Sequence, residues 1–379
     1  MGWCTTADLD RFAAAAGGYL RSTAVENALL LSAVQAARSA WDPRIVGRPP
    51  ATARPPATAG APGMDASPAG PGLLFGWWEP PDGAEPRGAF IHDPAVPLLI
   101  AGRAPEMAAA LAGTLAKMGR AVCGVDGTVE AADAFAAAWS NRAGTSIRMH
   151  KQCRVYRLVA AGPAAAAAAG EPGGWGPARS PGQAGRLRVA TAKDRTLVID
   201  WLTAFAAEVA ERIGSPQQMA DDLIGYGGAL LWEAAQHLAG SHQDADGEQT
   251  AEPAYQPVAM AALTRPVAAM VRISIVYTPP ERRRTGYASA VTFTASRAVL
   301  DGVAPCAEPG AGVGPHARPQ VVMITDRNRP DHFVASIGYQ IAGERSVLRF
   351  GPPSGPLPRL RATGPMPRLP TGPLPRFRR

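Results

Sequence analysis

The spacing of apolar residues changes along the chain, and each change predicts an element. Over residues 5–40 they recur at helical spacing, with Leu20, Val25, Leu29, Leu30 and Val34 on one face after a capping-type start at Thr6-Ala7-Asp8-Leu9, which predicts helix. Leu73 to Trp78 and Ala89 to His92 flank Pro80-Pro81-Asp82-Gly83 and predict a β-hairpin. Val96 to Ile100 predicts a further strand. Residues 105–118 and 128–140 read as helices, the second placing Phe135 and Trp139 four positions apart. Cys153 to Val159 reads as the strand that closes this half.

A second series follows. Arg186 to Ala190 predicts a strand, and a helix from Asp194 puts Leu197, Trp201 and Phe205 on one face. A helix over Pro216 to Ile224 comes next, then strands at Ala229–Glu233, Pro257–Leu263 and Val271–Val276. A helix from Ala288 to about Leu300, a strand over Gln320–Thr325, a short helix and a strand over Ser346–Phe350 complete it. Strand, two helices, three strands, helix, strand, short helix, strand is an α/β unit with a mixed sheet.

Composition divides the chain where periodicity stops. Residues 42–72 are dominated by Pro, Ala and Gly and cannot bury enough apolar surface to order themselves, which predicts a flexible insertion. Residues 160–185 join an alanine run to Gly, Pro and Ser and read as a linker. The last 29 residues repeat Gly-Pro-Leu-Pro-Arg-Leu with small variations and favour polyproline II. The expected organisation is an N-terminal domain over 1–159, the linker, a second domain over 186–350 and a Pro/Arg tail over 351–379.

Charge adds little to this picture. The formal net charge is +7, but six tail arginines with no acid leave about +1 for the rest, so nucleic-acid binding by the body gains no support. The tail reads first as a solubilising or drifted extension, its sharper alternative being a polybasic arm for RNA, DNA or an acidic partner. Cys4, Cys123, Cys153 and Cys306 lack the close spacing of a disulfide framework or a zinc site, and the six histidines show no i,i+4 pairing. No stretch reaches the ~18 apolar residues that span a bilayer, and the N-terminus lacks a signal-peptide pattern; a cytoplasmic protein is expected. No feature specifies an oligomeric state.

The chemistry concentrates in one stretch. The run Val271–Val276 leads into Tyr277-Thr278-Pro279-Pro280-Glu281-Arg282-Arg283-Arg284-Thr285-Gly286-Tyr287-Ala288 and then a helix. Strand, glycine-containing turn and helix start together offer outward N–H groups and a positive dipole end to a phosphate. It is not a P-loop, because no Gly-Lys-Ser/Thr follows, nor a dinucleotide fingerprint, because it holds one glycine.

In this context the stretch resembles the cofactor-binding turn of the GNAT N-acetyltransferases, Gln/Arg-x-x-Gly-x-Gly/Ala, with Arg283, Gly286 and Ala288 at the matching positions. Thr325-Asp326-Arg327-Asn328 followed by Ile337-Gly338-Tyr339 resembles the family's segments around its fourth helix. The first half is similar to the same actinobacterial-type two-half subgroup at Phe75-Gly76-Trp77-Trp78, Phe90-Ile91-His92-Asp93-Pro94 and Phe135 to Trp139, without a glycine turn of its own. The resemblance implies a GNAT fold, a mixed twisted sheet flanked by helices, in the C-terminal half, preceded by a degenerate GNAT-like half.

It also implies acetyl-CoA as acyl donor. Val276, Tyr277 and Thr278 would hold the pantetheine arm, and the N–H groups of Arg283, Arg284, Thr285, Gly286, Tyr287 and Ala288 the pyrophosphate. Asn328 would lie near the thiol end, and Glu233 is the candidate base, its plain alternative being a solvated acid at a strand end. The sequence departs from the family where a tyrosine is expected three residues before Ile337, a position held by Val334. Three readings follow: an N-acetyltransferase acting on a primary amine of a small molecule or peptide, a catalytically impaired relative that binds acyl-CoA as sensor or scaffold, and a nucleic-acid or partner-binding module working through the tail.

Overall fold

The computed structural model describes residues 2–41, 72–80, 84–159, 185–209, 215–236, 254–304, 319–328 and 332–353. The first half runs β1 (Gly2–Thr6), α1 (Leu9–Ser22), α2 (Ala28–Trp41), β2 (Leu74–Glu79), β3 (Gly88–His92), β4 (Leu98–Gly102), α3 (Pro105–Lys117), β5 (Gly124–Thr128), α4 (Val129–Ala143) and β6 (Thr145–Val159). The second runs β7 (Gly185–Val189), α5 (Arg195–Val209), α6 (Pro216–Gly225), β8 (Ala229–Gln236), β9 (Ala254–Leu263), β10 (Met270–Tyr277), α7 (Tyr287–Leu300), β11 (Gln320–Asp326), α8 (His332–Ser336) and β12 (Gln340–Pro353). The same order of elements therefore occurs twice. The order expected for the second half is the one observed.

Local chemistry accounts for most of these boundaries. Asp8 caps α1 by accepting from the N–H groups of Asp10 and Arg11, Thr128 caps α4, and Ser215 caps α6 ahead of Pro216. Gly144 ends α4 in the left-handed conformation at φ 63°. The predicted Phe135–Trp139 pair stacks within α4 with centroids 6.0 Å apart.

All twelve strands join one sheet in the order β1-β2-β3-β4-β5-β12-β6-β11-β10-β9-β8-β7. Each half gives its last strand to the other: β12 lies antiparallel to β5, and β6 lies antiparallel to β11. The two exchanged strands pair along most of their length at the centre. The linker at 160–185 thus divides the sequence but not the sheet.

Both faces of the sheet are covered, and three of the four cores draw on both halves. One face packs α1 and α2 over Phe75, Ile91, Met270 and Val322, and α5 and α6 over Leu231, Met260, Ile275 and Tyr277. The other packs α3 and α4 over Phe90, Ile100 and Leu348, and α7 and α8 over Tyr156, Leu158, Val271 and Ile273. Burying side chains of this size contributes about 1.5–3 kcal/mol each.

Several expectations need correction. Residues 2–6, partly inside the predicted first helix, form an edge strand paired with β2, and residues 23–27 break the helix in two. Gly124–Thr128 is a strand that periodicity does not reveal. Strand β6 begins at Thr145 and β12 at Gln340, well before the apolar runs that predict them. The Pro/Ala/Gly insertion, the linker, residues 237–253 and 305–318 and the tail lie, apart from the edges of the insertion, the linker and the tail, outside the described residues.

Candidate functional site

The centre of the second half is a gap between two strands. Strands β10 and β11 run parallel and pair only from Met270↔Gln320 to Ile273↔Met323. Beyond that point β10 continues to Tyr277 against β9, while β11 continues to Asp326 against β6. The edges that face each other are therefore unpaired from Ser274 and Ile324 onward. A register shift between Ile273 and Ile275 marks a bulge at Ser274, and bulges bend strands. It also inverts the alternation: Val271 and Ile273 face the α7 core, whereas Ile275 and Tyr277 face the α5–α6 core.

At the mouth of the gap the chain turns into α7. A short 3-10 turn at Pro280–Arg282 precedes Arg284 at φ 63° and Gly286 at φ 87°. Glycine is the residue that takes this conformation without strain; Arg284 takes it at a cost of about 1–2 kcal/mol. Among the described residues, the backbone N–H groups of Arg284, Thr285, Gly286, Tyr287, Ala288 and Ser289 have no hydrogen-bond partner. Six successive donors at a helix start, none with a partner, are the kind of arrangement that suits an anion. The expected set changes at its edges, because Arg283 N–H donates to the Pro280 carbonyl at 3.3 Å and Ser289 joins at the other end.

The Arg283 side chain has a different task from the one its motif position suggests. Its Nη2 reaches both carboxylate oxygens of Glu208 at 2.6 and 2.7 Å, and its Nε donates to the Thr278 carbonyl at 2.9 Å. The guanidinium also lies 5.9 Å from the Tyr277 ring centroid. It straps the turn to the end of α5, leaving Arg282 and Arg284 as the outward charges. Thr285 Oγ1 donates to the Arg282 carbonyl at 2.6 Å and closes the turn from within.

Two hydroxyls flank the gap without partners. Thr278, 8% exposed, and Thr325 each bury an Oγ1 that finds no hydrogen-bond partner. One sits at the end of each diverging strand. Leaving a buried hydroxyl unpaired costs about 1–3 kcal/mol, so two at one gap point to a polar occupant. Thr325 opens the segment that resembles the family's, but neither its type nor its spacing announces an unpaired hydroxyl.

Asn328 lies exposed just past β11, its N–H held by Asp326 Oδ1 at 2.9 Å. It shares the mouth of the gap with the β10–α7 turn. Val334 is fully buried in the α7–α8 core, so that position offers no proton. Tyr339 is buried too: Ser296 Oγ donates to the Thr292 carbonyl, which makes the Tyr339 hydroxyl the donor in its 2.7 Å bond to Ser296. Burial pushes its pKa up, and its proton is engaged inside the core.

Glu233 requires a correction. Its side chain is 7% exposed, and it accepts from Arg186 Nε at 2.9 Å and Arg188 Nε at 2.6 Å. Arg188 also binds both oxygens of Asp194, which accepts from the N–H and Oγ1 of the N-cap residue Thr191. Burial pushes the Glu233 pKa up, but the hydrogen bonds from the two arginines outweigh it and the net shift is downward. A carboxylate held as an anion in this way is a poor base; its work is to fasten edge strand β7 to β8.

No group of three or more His, Cys, Asp or Glu able to hold a metal occurs among the described residues. No helix among them is long and apolar enough to cross a membrane.

No family model matches the chain, and no curated protein matches its sequence. Solved structures do resemble it. A GCN5-related N-acetyltransferase from Sphaerobacter thermophilus is 14% identical at a TM-score of 0.43, the match covering 74% of this chain and 80% of that one. One from Kribbella flavida is 18% identical at 0.41, covering 71% and 88%. A tandem GNAT protein from the clavulanic acid biosynthesis pathway is 16% identical at 0.40, covering 76% and 86%. All three carry the GNAT name. A likeness at this level concerns chain path and says nothing of substrate.

Proposed function

We propose that the chain is a two-half GNAT-type N-acetyltransferase whose second half binds acetyl-CoA. The observation that carries the reading is the gap between β10 and β11 with the six free N–H groups from Arg284 to Ser289 at its mouth. A pyrophosphate is the dianionic group such a concavity suits, with Arg282 and Arg284 adding charge. The pantetheine arm lies along the unpaired edge of β10 at Val276, Tyr277 and Thr278, and the hydroxyls of Thr278 and Thr325 supply it with polar contacts. Asn328 stands near the thioester end.

The reaction on this reading is direct. The lone pair of an uncharged primary amine of a small molecule or peptide attacks the thioester carbonyl carbon, the C–S bond breaks, and the nitrogen loses a proton to solvent. A thiol of ordinary pKa, about 8.5, leaves as the thiolate and takes a proton from water, so a buried valine at position 334 does not forbid turnover. Neither Glu233 nor Tyr339 has a part in this scheme.

Calorimetric titration of acetyl-CoA tests the reading, with Gly286→Glu as control and thiol release over a panel of amines to follow. Saturable binding that Gly286→Glu abolishes is expected; absence of binding, or equal binding by the variant, overturns it. The buried Val334 and the engaged Tyr339 favour one second reading, a relative that binds acyl-CoA without turnover. Binding with no thiol release from any amine would select it.

A further inference from the structure

The first half has a cavity of its own, of about 490 Å³. Tyr19 and Glu26 from the end of α1 and the turn after it, Trp78 of β2, Arg87 before β3, Arg103 after β4 and Met107 of α3 line it. Because the element order repeats, these residues occupy the same part of their half as the α5–α6 end, the β8 end and the β10–α7 turn do of theirs.

The chemistry there differs from that of the second half. The β4–α3 turn is only Arg103-Ala104, where β10 and α7 are joined by Thr278 to Gly286. Pro105 opens α3 and removes one N–H donor, and Glu106 in the first turn puts negative charge where a phosphate would need the dipole. A nucleotide pyrophosphate does not suit this place.

What remains is an apolar floor under a rim of both signs. Trp78 and Met107 are buried, and Tyr19 is half-buried. Burial pushes the Tyr19 phenol up to about 12, so it is a neutral hydroxyl at physiological pH. Glu26 is paired with Arg103, whose Nε lies 3.3 Å from Oε2. The Arg103 side chain is 77% exposed, and an ion pair of that exposure opens at small cost. Arg87 is exposed beside it with no ion-pair partner among the described residues.

We propose that this cavity binds a small zwitterion with an apolar side chain, the chemistry of a free amino acid. The side chain lies against Trp78 and Met107, the ammonium meets Glu26, and the carboxylate meets Arg87 and Arg103. The volume falls in the range of roughly 300–1,000 Å³ common to small-molecule sites. The inference stands apart from the acyl-transfer reading, since it uses no residue of the second half.

Calorimetry on the full chain tests it with L-phenylalanine and L-leucine against N-acetyl-L-phenylalanine, L-phenylalaninamide and glycine, which lack the ammonium, the carboxylate and the apolar side chain in turn. Saturable binding of the first two is expected, with each truncated analogue weaker by about tenfold or more, the worth of one charge-assisted hydrogen bond for the two that lack a charge and of a buried apolar side chain for glycine. Glu26→Gln, at a partly exposed position, and Arg87→Ala, at an exposed one, are expected to weaken binding by a similar factor with little change in melting temperature. Gly286→Glu is expected to leave binding unchanged. No binding of either amino acid tighter than about 10 mM overturns the proposal, as does equal binding of N-acetyl-L-phenylalanine. Binding that Gly286→Glu removes but Glu26→Gln does not would assign the ligand to the second half and equally overturn it.

Discussion

Replacing Thr278 by valine sets stability against function with opposite signs. The side chain is 8% exposed and its Oγ1 has no partner. A buried hydroxyl without a hydrogen bond costs about 1–3 kcal/mol, and valine keeps the branched shape while removing that penalty. The free protein should therefore be stabilised by about 1–3 kcal/mol, which raises the melting temperature by roughly 2–6 °C at about 2 °C per kcal/mol for a chain of this size. If the hydroxyl contacts the acyl donor, the variant forfeits one neutral hydrogen bond, a net of about 0.5–1.5 kcal/mol. Acetyl-CoA should then bind roughly 2- to 12-fold more weakly. Scanning calorimetry without ligand and titration calorimetry with acetyl-CoA read the two effects separately. A lower melting temperature would show that the hydroxyl is satisfied in the free protein. Unchanged affinity would show that it does not face the donor, and either result refutes the reasoning.

Other perturbations follow from the same geometry. Gly286→Ala places a side chain at φ 87°, so a destabilisation of about 1–2 kcal/mol and weaker acetyl-CoA binding are expected by thermal melting and calorimetry. Glu208→Gln releases Arg283 from its strap; acetyl-CoA affinity should fall severalfold, with little change in melting, because the pair is half-exposed. The hydrogen bonds from Arg188 hold the Asp194 carboxyl well below the usual carboxylate range. A carboxylate depressed on folding adds stability above its unfolded pKa of about 3.9 and loses it as pH falls from there towards the folded value. Acid titration of melting temperature should show that loss below about pH 4, and Asp194→Asn should flatten it while lowering stability at neutral pH.

The second half was legible because most of its strands contain an apolar run and its turn carries a glycine that the backbone requires. Gly2–Thr6 and Gly124–Thr128 escaped because Gly-Trp-Cys-Thr-Thr and Gly-Val-Asp-Gly-Thr have no apolar run; their strand state is imposed by neighbours in the sheet. The first part of β12, Gln340 to Arg345, is polar for the same reason. Strand exchange leaves no trace in periodicity, which specifies a face but not a partner. At the site, the turn was readable and its wiring was not. Arg283 meets Glu208 75 residues away, and Glu233 meets Arg186 47 residues away, so their motif positions suggested roles that tertiary contacts had already taken.

The crossing of the last strands also orders events in time. Leu348 of β12 completes the core under α3 and α4, and β12 supplies the neighbour of both β5 and β6. The first half therefore emerges from a ribosome with a central edge open and a core short of one strand. From Val159 to Gln340 the chain must grow by a further 181 residues, roughly 10–35 s at 5–20 residues per second. Throughout that interval β6 presents an unpaired edge, a template for pairing with another nascent chain. Completion of the fold waits on the arrival of residues close to the end of the described chain, which makes translation speed and protection of that edge determinants of yield.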